Sequence, residues 1–178
     1  MQWIEGLGVR LRPAMEADRE RFHEILSCPE VATWWGDPEQ QAEEAVHPAD
    51  DVRSYAVERA AQDGKGHPVV GLVQTAEETT PGYEYAGLDI AIHPEWHRQG
   101  IGGAALYLLA HYLFEVEGHH RLTIDPAVDN TPAIHLYRKL GFRPVGVMRQ
   151  YERRPDGVVR DGLLMDMLAG ELVEPRGH

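Results

Sequence analysis

The run AGLDIAIHPEWHRQGIGGAALYLLAHYLFEV, residues 86–116, leaves the chain few ways to fold. Its first seven residues alternate, with Leu88, Ile90 and Ile92 on one side of a strand and Asp89 and Ala91 on the other. Further on, Ile101, Ala105, Leu108, Leu109, Tyr112, Leu113 and Val116 recur at helical spacing on one face. Between strand and helix, Gly100, Gly102 and Gly103 let the chain curl with its amides exposed at the positive end of the helix dipole, which suits an anion such as a pyrophosphate. A tight strand-to-helix connection needs glycine as well, so both readings stay open. Gly100, Gly102 and Ala105 also meet the looser dinucleotide pattern, but that pattern opens a parallel sheet, whereas this turn lies in mid-chain after an apparent antiparallel meander. No GK[ST] follows, so it is not a P-loop.

The flanking chain supplies the rest of an α/β pattern. Val9 and Leu11 mark a first strand before Pro13, and Phe22, Ile25 and Leu26 mark the apolar side of a helix that Cys28 and Pro29 end. WWGDPEQQAEEAV predicts a second short helix, with Asp37 as N-cap and Pro38 in the first turn. SYAVE and HPVVGLVQTA read as strands about the turn QDGKG. After the long helix, RLTIDP reads as a strand and NTPAIHLYRKLGF as a helix running from Asn130 to a stop at Gly141. Phe142–Tyr151 and Gly162–Leu168 flank a PDG turn and close the chain with a hairpin.

A length of 178 residues with 43% apolar content predicts one globular domain, residues 1–178. The single cysteine, Cys28, excludes an internal disulfide framework. The start MQWIEGLGVR lacks the pattern of a secretion signal, and Ile101–Phe114 falls short of the ~20 residues a membrane helix needs, so a cytoplasmic protein without a membrane partner is expected. A formal charge of −12 argues against nucleic acid and favours a cationic ligand. Residues 14–63 carry thirteen acids against four bases, which is either a field for such a ligand or a solvated helical face. His93 and His97 lie on a strand-to-loop exit beside Pro94, not in HExxH order on a helix, so no metal site is expected.

Two segments in order, HRQGIG and DNTPAIHLYRKLGF, resemble the marks of the GCN5-related N-acetyltransferase (GNAT) family over nearly the whole chain. The first resembles [QR]xxGxG/A, with His97 standing where the family has Gln or Arg, and the second resembles N-x-x-A-x-x-x-Y-x-K-x-G-F. The resemblance implies an α/β fold with a mixed, mostly antiparallel sheet of six to seven strands, flanked by about four helices. It implies that the fourth and fifth strands, AGLDIAI and RLTIDP, splay around acetyl-CoA. The coenzyme A contacts it implies are Ile90, Ala91 and Ile92, the turn Arg98, Gln99, Gly100, Ile101, Gly102 and Gly103, and Asn130, Ala133, Tyr137 and Lys139. Transfer would be direct, with Tyr137 in the family's proton-donor position.

WWGDPE, LDIAI, TIDPAVDN and PDG together resemble aminoglycoside 6'-N-acetyltransferases. That resemblance makes Asp125 the candidate general base and gives Trp34, Trp35, Asp37, Asp89, Asp125 and Asp156 a place against a polyamine sugar, with Tyr83 as a further candidate contact. Carboxylates around ammonium groups are what such a ligand requires. Plain structural roles stay open: Asp125 as a helix cap, Asp156 as a turn residue, Trp34 and Trp35 as a hydrophobic staple, and Tyr137 as helix packing. The implied activity is acetyl transfer to a primary amine of a small cation, by a monomer or homodimer. The alternatives are transfer to a polyamine or siderophore precursor, and a module that binds acyl-CoA or sequesters aminoglycosides without catalysis.

Overall fold

The computed structural model describes residues 2–60, 66–154 and 156–175. The QDGKG turn lies outside the described residues except for Gly66, and so does Pro155 of the PDG turn. The chain runs β1 (Ile4–Gly6), β2 (Val9–Pro13), α1 (Arg19–Ser27), α2 (Pro29–Ala32), α3 (Pro38–Val46), β3 (Val52–Arg59), β4 (Val69–Glu78), β5 (Tyr85–Ile92), α4 (Ile101–Glu115), β6 (Arg121–Ile124), α5 (Thr131–Leu140), β7 (Arg143–Arg153) and β8 (Val159–Leu168). All eight strands join one sheet in the order β1-β2-β3-β4-β5-β6-β8-β7. Every pairing is antiparallel except that of β5 with β6.

Two elements exceed the sequence expectation of six to seven strands and about four helices. β1 is three residues long and shows no alternation; it pairs with β2 through a two-residue turn in which Leu7 and Gly8 both have positive φ, 50° and 73°. The other is α2. Pro29 ends α1 as expected, and it also starts a new turn, because a fixed φ and a missing N–H cost nothing at a helix's first position.

The sheet is the middle of three layers, and the two-residue period of its strands divides the core in two. One face packs α4 and α5 with Leu88 and Ile92; the other packs α1, α2 and α3 with Ala56, Leu72 and Ala91. Leu106, Leu109 and Leu113 of α4 are wholly buried, each contributing about 1.5–3 kcal/mol by leaving water. Among the described residues no helix is long and apolar enough to cross a membrane.

β5 pairs with β4 along its whole length, from Gly71↔Ile92 to Glu78↔Tyr85. Against β6 it pairs only at Ala86↔Leu122 and Gly87↔Thr123. Beyond that point the two parallel strands part, and one edge of β5 from Leu88 to Ile92 is open. This is the expected splay; the extra N-terminal strand makes it β5 and β6, not the fourth and fifth.

Candidate active site

The open edge of β5 leads directly into the glycine turn. Gly100 caps α4 at a φ of 77°, a conformation that disfavours any side chain, and Arg98 just before it also has a positive φ, of 57°. The N–H groups from Arg98 to Gly103 have no acceptor among the described residues. A Cβ on Gly102 would stand at ordinary contact distance, 3.6 Å from Ile92 Cγ1 and 3.7 Å from Leu136 Cδ2, so packing alone does not demand glycine there. Unpaired amides, a helix N-terminus and an absent side chain together make a cradle that fits a diphosphate. His97 Nε2 donates to Ile92 O at 2.7 Å, tying the end of β5 to the cradle through the residue that departs from the family pattern.

The cradle is one end of a cleft of about 810 Å³ lined by Ile90–Ile92, Arg98, Gly100–Gly103, Asn130, Ala133 and Tyr137, with Trp34 and Trp35 on its far wall. A second cleft, of about 800 Å³, opens beside α3 and the strand ends. The two share Gln74, Asp89, Ile124, Asp125 and Tyr151, so they meet at a pair of carboxylates. Both are acidic. Among the described residues the one Lys or Arg lining the first cleft is Arg98, at the cradle, against Glu30, Asp89, Asp125, Glu152 and Asp161, and none lines the second, whose walls carry Glu44, Asp51, Glu77 and Glu78.

At the junction, Tyr151 Oη donates to Asp125 Oδ2 at 2.6 Å. Asp89 opens to the cleft but is crowded by protein on its other sides. That crowding, with the charges of Asp125 and Glu152, pushes its carboxyl up to about 7. Tyr137 is buried, and its burial, reinforced by Asp89 and Asp125, holds the phenol protonated well above the usual tyrosine range.

Five expected site residues stand outside both clefts. Tyr83 is 75% exposed in the β4–β5 loop. Asp37 is used as the α3 cap, accepting from Gln40 N at 3.0 Å, and Asp156 is used in its turn, accepting from Val158 N at 2.9 Å. Short polar side chains satisfy nearby amides before they reach across a cleft. Gln99 folds back to donate to Glu95 O at 2.8 Å, and Lys139 is exposed on α5. Asn130 does both jobs: its Oδ1 accepts from Ala133 N at 3.3 Å while the residue lines the cleft. Trp34 carries the Arg160 guanidinium 5.3 Å above its ring, and Arg160 Nη2 donates to Thr33 O at 2.9 Å, which pins the tryptophan loop to β8.

Tyr151, Glu152 and Asp161 line the first cleft although sequence reasoning passed over them, as it did Glu77 and Glu78 of the second; Glu44 and Asp51 belong to the acid-rich stretch 14–63. Gln74 had a readable signal, since a paired register sets it opposite Asp89. Among the described residues Glu77, Glu117 and His119 have the spacing of a metal cluster, but the Arg53 guanidinium already binds both glutamates.

The family described as an acetyltransferase (GNAT) domain matches residues 9–143. Spermidine N(1)-acetyltransferase of Escherichia coli K12 is 28% identical over 165 residues, 88% of this chain and 84% of that protein. N-alpha-acetyltransferase of Sulfurisphaera tokodaii is 39% identical over 64 residues, 36% of this chain and only 38% of that protein. Among solved structures, spermidine N-acetyltransferase from Vibrio cholerae, in complex with CoA and spermine, superposes with a TM-score of 0.76 at 22% identity, covering 93% of this chain and 98% of that one. A GCN5-related N-acetyltransferase from Brucella melitensis gives 0.77 at 23% identity, covering 96% and 80%.

Proposed function

The chain belongs to the GNAT acetyltransferase family and is an acetyl-CoA-dependent N-acetyltransferase, and we propose that its acceptor is a primary amine of a small polycation, the 6'-amino group of an aminoglycoside. The observation that carries this reading is the acidity of two joined clefts, in whose lining the one Lys or Arg among the described residues, Arg98, stands at the cradle. The cradle has unpaired amides and Arg98, whereas the walls beyond Asp89 and Asp125 carry carboxylates and no Lys or Arg among the described residues. A polycation entering by the second cleft meets Glu44, Asp51 and Glu78 as compensating charges, Glu77 being held by Arg53.

Acetyl-CoA supplies an acyl group already activated as a thioester. An amine attacks only when neutral, so Asp125, at the junction of the clefts, is the proposed base. Its Oδ2 is engaged by Tyr151, and Oδ1 has no partner among the described residues and takes the proton. Backbone N–H groups along the open edge of β5, between Leu88 and Ile92, are proposed to stabilise negative charge developing on the acyl oxygen. Tyr137 Oη, kept protonated by burial, is the proposed donor to the departing sulfur. Ile90–Ile92, Gly100–Gly103, Asn130 and Ala133 are the proposed coenzyme A contacts, and Trp34, Trp35 and Asp89 the proposed acceptor contacts.

A linear polyamine is the second reading, favoured by the full-length likeness to the spermidine enzyme. Release of free thiol from acetyl-CoA with a kanamycin-type aminoglycoside, spermidine, an alanine-terminated peptide and no amine decides among them. The fastest release is expected with the aminoglycoside. A preference for spermidine would replace the antibiotic by the polyamine, and release no faster with any amine than without would remove the acceptor proposal altogether.

A further inference from the structure

Strand β7 contains a device whose only visible product is the aim of one side chain. From Met148 to Glu152 the strand takes four steps while its partner β8 takes two, from Gly162 to Arg160, so residues 149–151 bulge out of register. Within the bulge Gln150, which is not glycine, holds a φ of 54°, a conformation that costs an ordinary residue about 1–2 kcal/mol. That conformation is fastened by Asp161, whose Oδ1 accepts from Gln150 N at 2.7 Å. The ring of Tyr151 then lies on Gly162, where a Cβ would meet Tyr151 Cδ1 at 2.7 Å and force a shift. Ala127 bridges to the same Gly162, and Leu163 N donates to Pro126 O at 2.8 Å, so the segment just after Asp125 is clamped to β8 as well. Both partners of the 2.6 Å bond from Tyr151 Oη to Asp125 Oδ2 are therefore seated on one pair of β8 residues. Bulges beside active sites commonly re-aim a side chain, and a maintained strained residue calls for a reason.

We infer that Tyr151, presented by this bulge, is the positioning residue of Asp125: its phenol occupies one carboxylate oxygen and thereby directs the other to the acceptor amine. The inference rests on the proposed role of Asp125 as base. Without the phenol, the carboxylate can rotate about its last torsion and present either oxygen, so fewer encounters are productive, while Glu44, Asp51, Glu77 and Glu78 of the second cleft keep their charge.

The test pairs a spectroscopic readout, which needs no substrate, with kinetics. With tyrosine labelled at the ring carbon bearing the hydroxyl, the NMR resonance of Tyr151 is identified by its loss in Tyr151→Phe. In the unaltered protein this resonance stays that of a protonated phenol through the pH range where exposed tyrosines ionise; in Asp125→Asn, with partial burial and Asp89 still acting on it, its ionisation is expected to move down toward theirs. With the preferred amine, Tyr151→Phe should lower kcat about 10-fold or more and leave KM within about twofold. Gly162→Ala, which displaces the ring but keeps the hydroxyl, should reproduce the kcat loss. An unmoved Tyr151 resonance in Asp125→Asn, or a kcat for Tyr151→Phe within about twofold of the unaltered enzyme, would overturn the inference. Failure of the acceptor reading is distinct, because it shows as no amine-dependent turnover by the unaltered protein, whatever the resonance does.

Discussion

Asp89 and Asp125 each lie two residues beyond the last paired positions of β5 and β6, Gly87 and Thr123, so two parallel strands bring two carboxylates to the same level just where they separate. Side chains two residues apart share a face. The two acids therefore meet at the junction of the clefts, and Asp89, without a hydrogen-bond partner among the described residues, has its carboxyl pushed up by burial and by the charges of Asp125 and Glu152.

This arrangement has a pH signature. The Asp89 carboxyl, at about 7, stands above the ordinary carboxylate value, so between about pH 4 and 7 the folded chain keeps a proton that the unfolded chain has released. Stability from this group is full at low pH and is lost as pH rises through 7. Asp89→Asn should raise the Tm relative to the unaltered protein by more at pH 8 than at pH 5 in scanning calorimetry. An equal change at both values would make Asp89 an ordinary carboxylate.

Asp125→Asn should lower turnover by about 10²-fold or more, the usual scale of a lost general base. The shape is nearly conserved, so Tm and the calorimetric affinity for coenzyme A should stay within error. Turnover within about threefold would return Asp125 to the role of a structural residue.

The cradle glycines should separate. At Gly100, with its φ of 77°, alanine should cost about 1–2 kcal/mol of stability. At Gly102 an added Cβ meets only ordinary contacts and alanine is the better helix former, so stability should hold or rise. The added methyl group narrows the cradle and should weaken coenzyme A binding about 10-fold or more by isothermal calorimetry. Undiminished affinity would mean that the diphosphate lies elsewhere.

Carboxylate walls predict a salt effect. For a polycationic acceptor kcat/KM should fall as ionic strength rises, because screening weakens both encounter and binding. The pair Glu44→Gln and Asp51→Asn, both on the second cleft, should raise KM several-fold with little change in kcat. A flat salt response would leave these acids a role in solubility.

Away from the site, Arg12 ties β2 to β3 and to Asp18, the residue before α1. Its guanidinium donates to Asp18 Oδ1 and Oδ2 at 2.6 and 2.7 Å and to Glu58 Oε1 at 2.6 Å, and all three residues are buried. Arg12→Ala strands Asp18 without a cation, while Glu58 keeps Arg10, and should cost about 3 kcal/mol in urea unfolding. A loss under about 1 kcal/mol would show that water reaches the pair.

Much of this was legible in the chain itself. The period-two run of β5, the helical run of α4, the glycines between them and the Asn130 and Gly141 ends of α5 are local patterns, and local patterns survive without a third dimension. Asp89, Asp125 and Tyr137 were singled out by the family resemblance; the first two lie at the junction and Tyr137 lines the first cleft. Asp37, which the sequence also marks as an N-cap, Asp156, which it also marks as a turn residue, and Gln99 stand outside both clefts, because an acid or amide near free backbone groups is as ready to satisfy them as to serve a ligand.

What the amino-acid order determined, then, was most of the elements, β1 and α2 excepted, and the glycine turn before α4, because these depend on residues within a turn or two of one another. What only the tertiary structure decided was where β5 and β6 stop pairing, how the second cleft gathers Glu44, Asp51, Glu77 and Glu78 from separate elements, and that Tyr151 reaches Asp125 across 26 positions of chain. A bulge leaves no compositional mark when its strained residue is Gln150, since that conformation is imposed by the partner strand and the Asp161 bond, not by any preference of glutamine.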